Sequence, residues 1–381
     1  MSSTRAALLT ATGHRGPYAE TRPLAIETVE LDSPGYGEVR VRIHAAGLCH
    51  SDLSVINGDR VRPTPMALGH EAAAEVVELG AGVTDLSVGD RVVLVFVPSC
   101  GSCLPCMEGR PALCEPGAAA NTSGTLLGGS RRLHHHGADV HHHLGCSAFA
   151  DYAVVSRRSC VKVMTDISYT DLALFGCAVL TGVGAVVNTA RVPMGASVAV
   201  VGLGGVGQAA LLGAVASGAR QVIAVDFSEA KLDQALELGA THVVNAGNPQ
   251  AADVVRTLSR AGVDFAFEMA GSPAALELAY RCTRRGGTTV TAGLPNPTQL
   301  WSVPPVHLVA EERTIKGSYI GSAVPGRDIP RYIALYEAGK LPVNRLLSGV
   351  CGFDGLNAAF DALASGQAVR QVLLPASQGA A

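Results

Sequence analysis

The stretch Ser197-Val-Ala-Val-Val201-Gly202-Leu203-Gly204-Gly205-Val206-Gly207, followed by QAALLGAVASG (208–218) and QVIAVD (221–226), decides the fold. SVAVV is a short β-branched run suited to a strand buried on both faces. The next segment is helical in composition, and QVIAVD reads as a second strand ending at Asp226. In a G-x-G-x-x-G turn, Gly202 permits the bend and Gly204 lets the backbone approach a pyrophosphate. Gly207 allows close helix–strand packing, and the helix N-terminus faces the phosphates. A lone glycine motif is weak evidence, but here it follows a strand, opens a helix and has an acid closing the next strand. Asp226 is placed to accept hydrogen bonds from ribose hydroxyls and to repel a 2′-phosphate, which points to NAD. The competing possibility is a glycine-rich connection with no ligand.

Working outward, the alternation continues. Ser228 is positioned to cap a helix ending at Leu238, with Gly239 as its terminator. HVVN, VDFAFEMA and GTTVTAGL follow as strands, separated by helical segments near 250–260 and 274–284. Strands alternating with helices predict a doubly wound parallel sheet over residues 179–321. Upstream, residues 37–47, 71–80 and 89–97 are valine-rich strand candidates broken by Gly, Pro and Asp, as in an all-β lobe. The tail closes with a helix candidate at 354–364 and the strand RQVLLP. The His-rich run 134–143 reads as a loop whose His134, His135, His136, His141 and His142 are solvated.

At 381 residues the chain calls for two domains. Its 48% hydrophobic and 16% charged residues indicate a globular protein. With 29 Lys and Arg against 32 Asp and Glu, and no like-charge run, nothing suggests a nucleic-acid face. The apolar run Ser197–Ala219 approaches membrane-spanning length, but its glycines and Gln208 fit the βαβ unit better. Residues 1–16 show no apolar secretory core, so a cytoplasmic location is expected.

Cys100, Cys103, Cys106 and Cys114 form a C-x2-C-x2-C-x7-C array. Four thiolates so close together are what a closed tetrahedral structural zinc needs; the alternative is disulfides, which a reducing compartment disfavours. A second set of metal-type residues comprises Cys49-His50-Ser51-Asp52, Gly69-His70-Glu71 and Gly176-Cys177. Two thiolates and an imidazole would leave a zinc ion one open position, as catalytic sites do. Taken singly, a buried Cys is usually core and a His usually a satisfied polar group. Cys146, Cys160, Cys282 and Cys351 have no motif context.

CHSD, LGHE, the four-cysteine array, GCAVLTG, GLGGVG with Asp226 and the closing VRQVLLP together resemble the zinc-containing medium-chain alcohol dehydrogenases, in order and interval and over essentially the whole chain. The resemblance implies an α/β protein with a GroES-like all-β catalytic domain (1–178 and 322–381), a Rossmann domain (179–321) and an active site in the cleft between them. It implies catalytic zinc ligands Cys49, His70 and Cys177 and structural zinc ligands Cys100, Cys103, Cys106 and Cys114, two zinc ions per subunit. Asp52 matches a carboxylate that steadies the ligand histidine. Glu71 matches an acid behind the metal, and Ser51 the hydroxyl that takes the substrate proton. His50, Thr181, Gly204, Gly205, Val206, Lys231 and Arg370 match contacts to NAD. Phe96 and His143 match the substrate pocket wall, where His143 replaces an aromatic and would either bond a polar substrate or tile the wall. Ser54 stands where many relatives end a proton relay with histidine.

The long segment between Cys114 and Cys177 is typical of the dimeric branch that includes class III, the glutathione-dependent formaldehyde dehydrogenases, so a homodimer is expected. Gly58-Asp59-Arg60-Val61-Arg62 lacks the acidic pair with which that class reads its thiol adduct. The expected activity is reversible, NAD- and zinc-dependent hydride transfer between a primary or aromatic alcohol and its aldehyde. A thiol-adduct formaldehyde dehydrogenase (glutathione- or mycothiol-type) and a non-catalytic NAD-binding relative are the competing readings.

Overall fold

The computed structural model describes residues 2–375. By contact the chain forms two units: one holds the described residues through Cys177, Val324–Pro330 and those from Leu347 onward, the other Ala178–Ala323 and Arg331–Leu346.

The second unit is built on six parallel strands: β1 (Ser197–Val201), β2 (Gln221–Asp226), β3 (His242–Asn245), β4 (Val263–Glu268), β5 (Thr283–Thr291) and β6 (Thr314–Gly317). Their spatial order is β3-β2-β1-β4-β5-β6, with every neighbour parallel. This is the doubly wound order, with its switch point between β1 and β4. All five residues of β1 are buried, which is why SVAVV shows no polar alternation. After β1 the chain turns at Gly202 (φ +90°) into helix Gly205–Ala216. A Cβ on Gly207 would lie 1.8 Å from the Gly202 carbonyl oxygen, so helix and strand approach this closely only without a side chain there. Among the described residues, no single helix is long and apolar enough to cross a membrane. The apolar run from Ser197 resolves into a strand and a 12-residue helix.

The first unit contains a closed barrel of Ser2–Leu9, Leu24–Leu31, Leu133–His135, Ala138–His142 and Met66–Ala67. Beside it lies a sheet ordered Cys160–Lys162, Arg91–Leu94, Ala72–Leu79, Glu38–Gly47, Arg370–Leu373 and Leu347–Cys351, with Tyr152–Ser156 also pairing Glu38–Gly47. The tail strand Arg370–Leu373 thus adds to a sheet begun some 320 residues earlier, pairing Val372 with Gly47 and Leu373 with Ala46. Phe149, Phe360, Leu48, Ile56 and Met66 fill the core behind these strands.

Two expectations need correcting. Residues 331–346 belong with the nucleotide-type unit, not with the rest of the tail. Arg345 donates to the Glu237 carbonyl (2.8 Å), Gln234 Nε2 donates to the Arg345 carbonyl (3.1 Å), and Tyr332 Oη meets Asn188 Nδ2 at 3.4 Å. No change of composition marks that boundary. The histidine run is also no loop: it forms the hairpin Leu133–His135 and Ala138–His142, turning through His136 (φ +53°) and Gly137 (φ +77°). Identical residues carry no alternation, which hid the strand period. His142 is fully buried, accepting from the Arg132 N–H at Nε2 (3.1 Å) and meeting Ser147 Oγ at Nδ1 (3.3 Å). Burial pushes its pKa down to about 3, so it is a neutral core histidine.

Gly207→Ala should cost about 1–3 kcal/mol of stability through overpacking. Gly204→Ala, with no atom within 4 Å of its new Cβ, should melt as the wild type does in thermal unfolding.

Candidate active site and metal centres

Cys49 ends the long strand Glu38–Gly47 and its following turn, and caps helix His50–Ile56. The cap is reciprocal: the Cys49 side chain accepts from the Asp52 backbone, and the Cys49 N–H donates to Asp52 Oδ2 (3.1 Å). His70 follows Gly69, whose φ of +91° and contact with Phe149 N (2.4 Å from a built Cβ) exclude other residues. Cys177 follows a short 3-10 turn, Leu174–Gly176. These three separate segments bring Cys49, His70, Glu71 and Cys177 together, all buried, with donor atoms within 4.8 Å of one another.

Asp52 orients the group. It is fully buried, and its Oδ1 accepts from Gly69 N (3.3 Å) and lies 3.0 Å from His70 Nδ1. An ionised carboxylate only accepts, so His70 turns its Nδ1–H to Asp52 and its Nε2 towards the sulfurs, where it would offer its lone pair to a bound cation. That Nε2 is buried and makes no hydrogen bond. The two thiols take opposed values. Cys49 falls well below the usual thiol range, chiefly through the hydrogen bond from Cys177, while Cys177 rises well above it. Two sulfurs sharing one proton beside an orphaned imidazole nitrogen fit a divalent, thiolate-loving cation, and the set suits zinc with one position open.

Glu71 lies behind the cluster. Its Oε1 accepts from Arg370 Nη1 (2.7 Å), which also donates to the Leu48 carbonyl (2.8 Å). Burial lifts the Glu71 carboxyl to about 7, against the pull of Arg370. Arg370 is itself 2% exposed and stays charged because Glu71, Cys49 and Cys177 outweigh its burial. Its observed bonds thus run to Glu71 and the main chain of its own unit. Phe96 and His143 both stand edge-on to the His70 ring, at 5.3 and 5.5 Å between centroids. Ser51 is partly exposed on helix His50–Ile56, and His50 is exposed. Ser54 donates to the His50 carbonyl (2.8 Å), so its hydroxyl proton is engaged by its own helix.

The second cysteine group also closes on itself. Donor atoms of Cys100, Cys103, Cys106 and Cys114 lie within 4.8 Å of one another, and all the described cysteines are free thiols. Cys100 Sγ accepts from Ser102 N (3.4 Å) and Cys103 N (3.3 Å); Cys114 Sγ accepts from Cys100 N (3.2 Å) and Gly117 N (3.4 Å). Main-chain N–H groups turned onto sulfur favour thiolates: those of Ser102 and Cys103 draw Cys100 down to about 6. Burial pushes Cys106 up to about 12.

In the nucleotide-type unit, Asp226 ends β2 with its carboxylate accepting from Leu203 N (2.7 Å) and Ser228 N (3.0 Å). A carboxylate accepts about four bonds, so both oxygens keep capacity for a ribose. Thr181 lies on helix Ala178–Gly184, whose Gly182 abuts the Val206 carbonyl, while Lys231 is half-buried on helix Glu229–Glu237. A residue the sequence did not flag also belongs here. Glu268, 1% exposed at the end of β4, accepts from Ala270 N (2.8 Å), Gly271 N (2.5 Å) and Thr291 Oγ1 (2.6 Å). It pins the turn against which Gly202 packs. A strand-end acid before a small-residue turn was the available signal.

Family models match both halves of the chain: an alcohol dehydrogenase GroES-like domain over residues 35–165, and a zinc-binding dehydrogenase over residues 205–338. An alcohol dehydrogenase zinc-binding domain protein from Burkholderia ambifaria is 34% identical with a TM-score of 0.92, over 98% of this chain and 99% of that one. The chain belongs to the zinc-dependent, medium-chain alcohol dehydrogenase family. Benzyl alcohol dehydrogenase from Acinetobacter calcoaceticus is similarly close, 32% identical with a TM-score of 0.92, covering 99% and 100%. A more distant relative of the zinc-binding dehydrogenase type, from Sinorhizobium meliloti 1021 and bound to NADP, is 25% identical with a TM-score of 0.78, covering 98% and 100%. The two-domain architecture expected of this family, a GroES-like unit and a Rossmann sheet, is the one found.

Elemental analysis of the purified chain should give two zinc equivalents. Asp52→Asn should weaken one of them about 10–100-fold in chelator competition, as loss of a histidine's carboxylate partner does. Cys106→Ser should remove the other equivalent and lower the melting temperature.

Proposed function

We propose that this chain is an NAD- and zinc-dependent dehydrogenase of primary or aromatic alcohols, working reversibly on the corresponding aldehydes. The observation that carries the reading is the buried Nε2 of His70, held without a hydrogen bond toward the sulfurs of Cys49 and Cys177. A structural role would leave no reason for an unpaired imidazole nitrogen beside two buried thiols. Cys49, His70 and Cys177 would hold the metal, with Glu71 behind it, and Cys100, Cys103, Cys106 and Cys114 a second, structural ion. When bound, zinc supplies an electrophile for the alcohol oxygen, and NAD supplies the hydride acceptor.

The chain's own residues do the rest. Ser51 accepts the alcohol's proton and holds the oxygen in place. Because Ser54 is bonded to its own helix, the proton leaves partly exposed Ser51 for water or for His50. Phe96 offers an aromatic wall, in keeping with the likeness to a benzyl alcohol dehydrogenase. Gly202, Gly204, Gly205, Val206 and Gly207 seat the pyrophosphate, with Thr181, Lys231, His50 and Arg370 as further cofactor contacts. Asp226 selects NAD: its charge accepts ribose hydroxyls and opposes a 2′-phosphate, although one relative binds NADP. A homodimer is also proposed, since Val306 and Val309 on helix Pro305–Ala310, just ahead of edge strand β6, are 63% and 80% exposed.

A panel of alcohols read by NADH absorbance should favour benzylic and short primary alcohols, with NAD preferred over NADP. Ser51→Ala should lower kcat/KM by about 10²–10⁴ while zinc content and NADH binding hold. Formaldehyde oxidation only in the presence of a low-molecular-weight thiol would replace this substrate assignment with a thiol adduct.

A further inference from the structure

We propose that His143 is a positioning residue for His70, acting through the carboxylate that the two imidazoles share. The inference rests on the reading that Cys49, His70 and Cys177 hold zinc. His143 is 1% exposed, and its Nδ1 lies 3.2 Å from Asp52 Oδ1, the same oxygen that His70 Nδ1 meets at 3.0 Å. The two rings are nearly perpendicular, at 84°, so they reach that oxygen from different sides without stacking. His143 Nδ1 makes no well-aligned hydrogen bond, so its contact with the carboxylate is electrostatic and weaker than the His70 bond.

The backbone aims the ring. The His143 N–H donates to Ser147 Oγ (3.1 Å), and its carbonyl accepts from Cys146 N (3.0 Å) and Ser147 N (3.2 Å). Leu144, Gly145 and Ser147 all take positive φ, closing a tight turn that leaves the side chain little freedom. The tautomer then follows. Facing an ionised acceptor, His143 carries its proton on Nδ1, as His70 does.

Asp52 is therefore held by donors on two sides, the Cys49 N–H on Oδ2 and the Gly69 N–H and His70 on Oδ1, while His143 Nδ1 adds a close electrostatic contact to that same Oδ1. A fully buried carboxylate needs them, since each lost donor leaves desolvated charge uncompensated. His143 restrains the carboxylate and takes part of its charge, which fixes the ring plane of His70 and how strongly Nε2 can donate. An aromatic hydrocarbon side chain would fill the same volume but bring no N–H. Asparagine would place an amide N–H near the position of Nδ1.

The test is chelator competition on the zinc-loaded protein, with the four-cysteine zinc as internal reference. His143→Phe should release its active-site zinc about 10-fold faster than wild type, with the reference zinc unchanged. His143→Asn should return the rate to within about twofold of wild type. Substitution of cobalt(II) for the active-site zinc should give shifted visible bands in the Phe variant and wild-type bands in the Asn variant. A Phe variant with wild-type release and spectrum, or an Asn variant as labile as Phe, would overturn the role of His143. A wild type holding only the four-cysteine zinc would instead remove the metal-site reading and this role with it.

Discussion

A single buried carboxylate organises the catalytic unit. Asp52 sits at zero exposure, where an ionised acid is tolerated only if its lone pairs are filled. They are filled by the Cys49 N–H, the Gly69 N–H and the His70 ring. Burial alone would raise its pKa, yet His70 and His143 bring it below the ordinary value. The same contacts that stabilise the charge also set the tautomer of His70 and the start of the helix that Cys49 caps. One side chain thereby couples two segments separated in sequence, 49–52 and 69–71, that supply candidate metal ligands.

The neighbouring ion pair between Glu71 and Arg370 plays a comparable part from the tail. Arg370 opens the strand Arg370–Leu373, and its guanidinium crosses to Leu48 and Glu71 around the cysteine pair. A buried ion pair contributes little net stability, because desolvation offsets most of its attraction. Its value here is placement of charge: a fixed cation beside two sulfurs and an acid whose pKa burial raises. In the other unit Glu268 likewise fixes local geometry, placing its lone pairs on the turn at 270–271.

Much of this was legible in the chain. The βαβ unit and the parallel sheet followed from period, length and glycine spacing, because a strand buried on both faces is nearly all β-branched and a tight turn admits only glycine. The strands at 38–47, 72–79 and 91–94 fell within the expected segments, as did helices 229–237 and 251–258, while helix 273–282 began one residue ahead of its expected segment. The four-cysteine array was readable because its members are close enough that local turns alone bring the sulfurs together. What failed did so for local reasons. Runs of one residue type hide alternation, as at 134–142, and a boundary without a composition change, as at 331–346, leaves no mark in sequence.

The amino-acid sequence on its own determined the fold class, the glycine turn and the clustered cysteines, because these depend on contacts between residues near one another in the chain. Only the tertiary structure decided that Cys49, His70 and Cys177 share one point, that Arg370 reaches Glu71, and that His143 faces Asp52. Those relations join segments up to 299 residues apart, and which side chain meets which is set by sheet register and barrel closure. A side chain's partner across such a distance is a property of packing, and no local pattern encodes it.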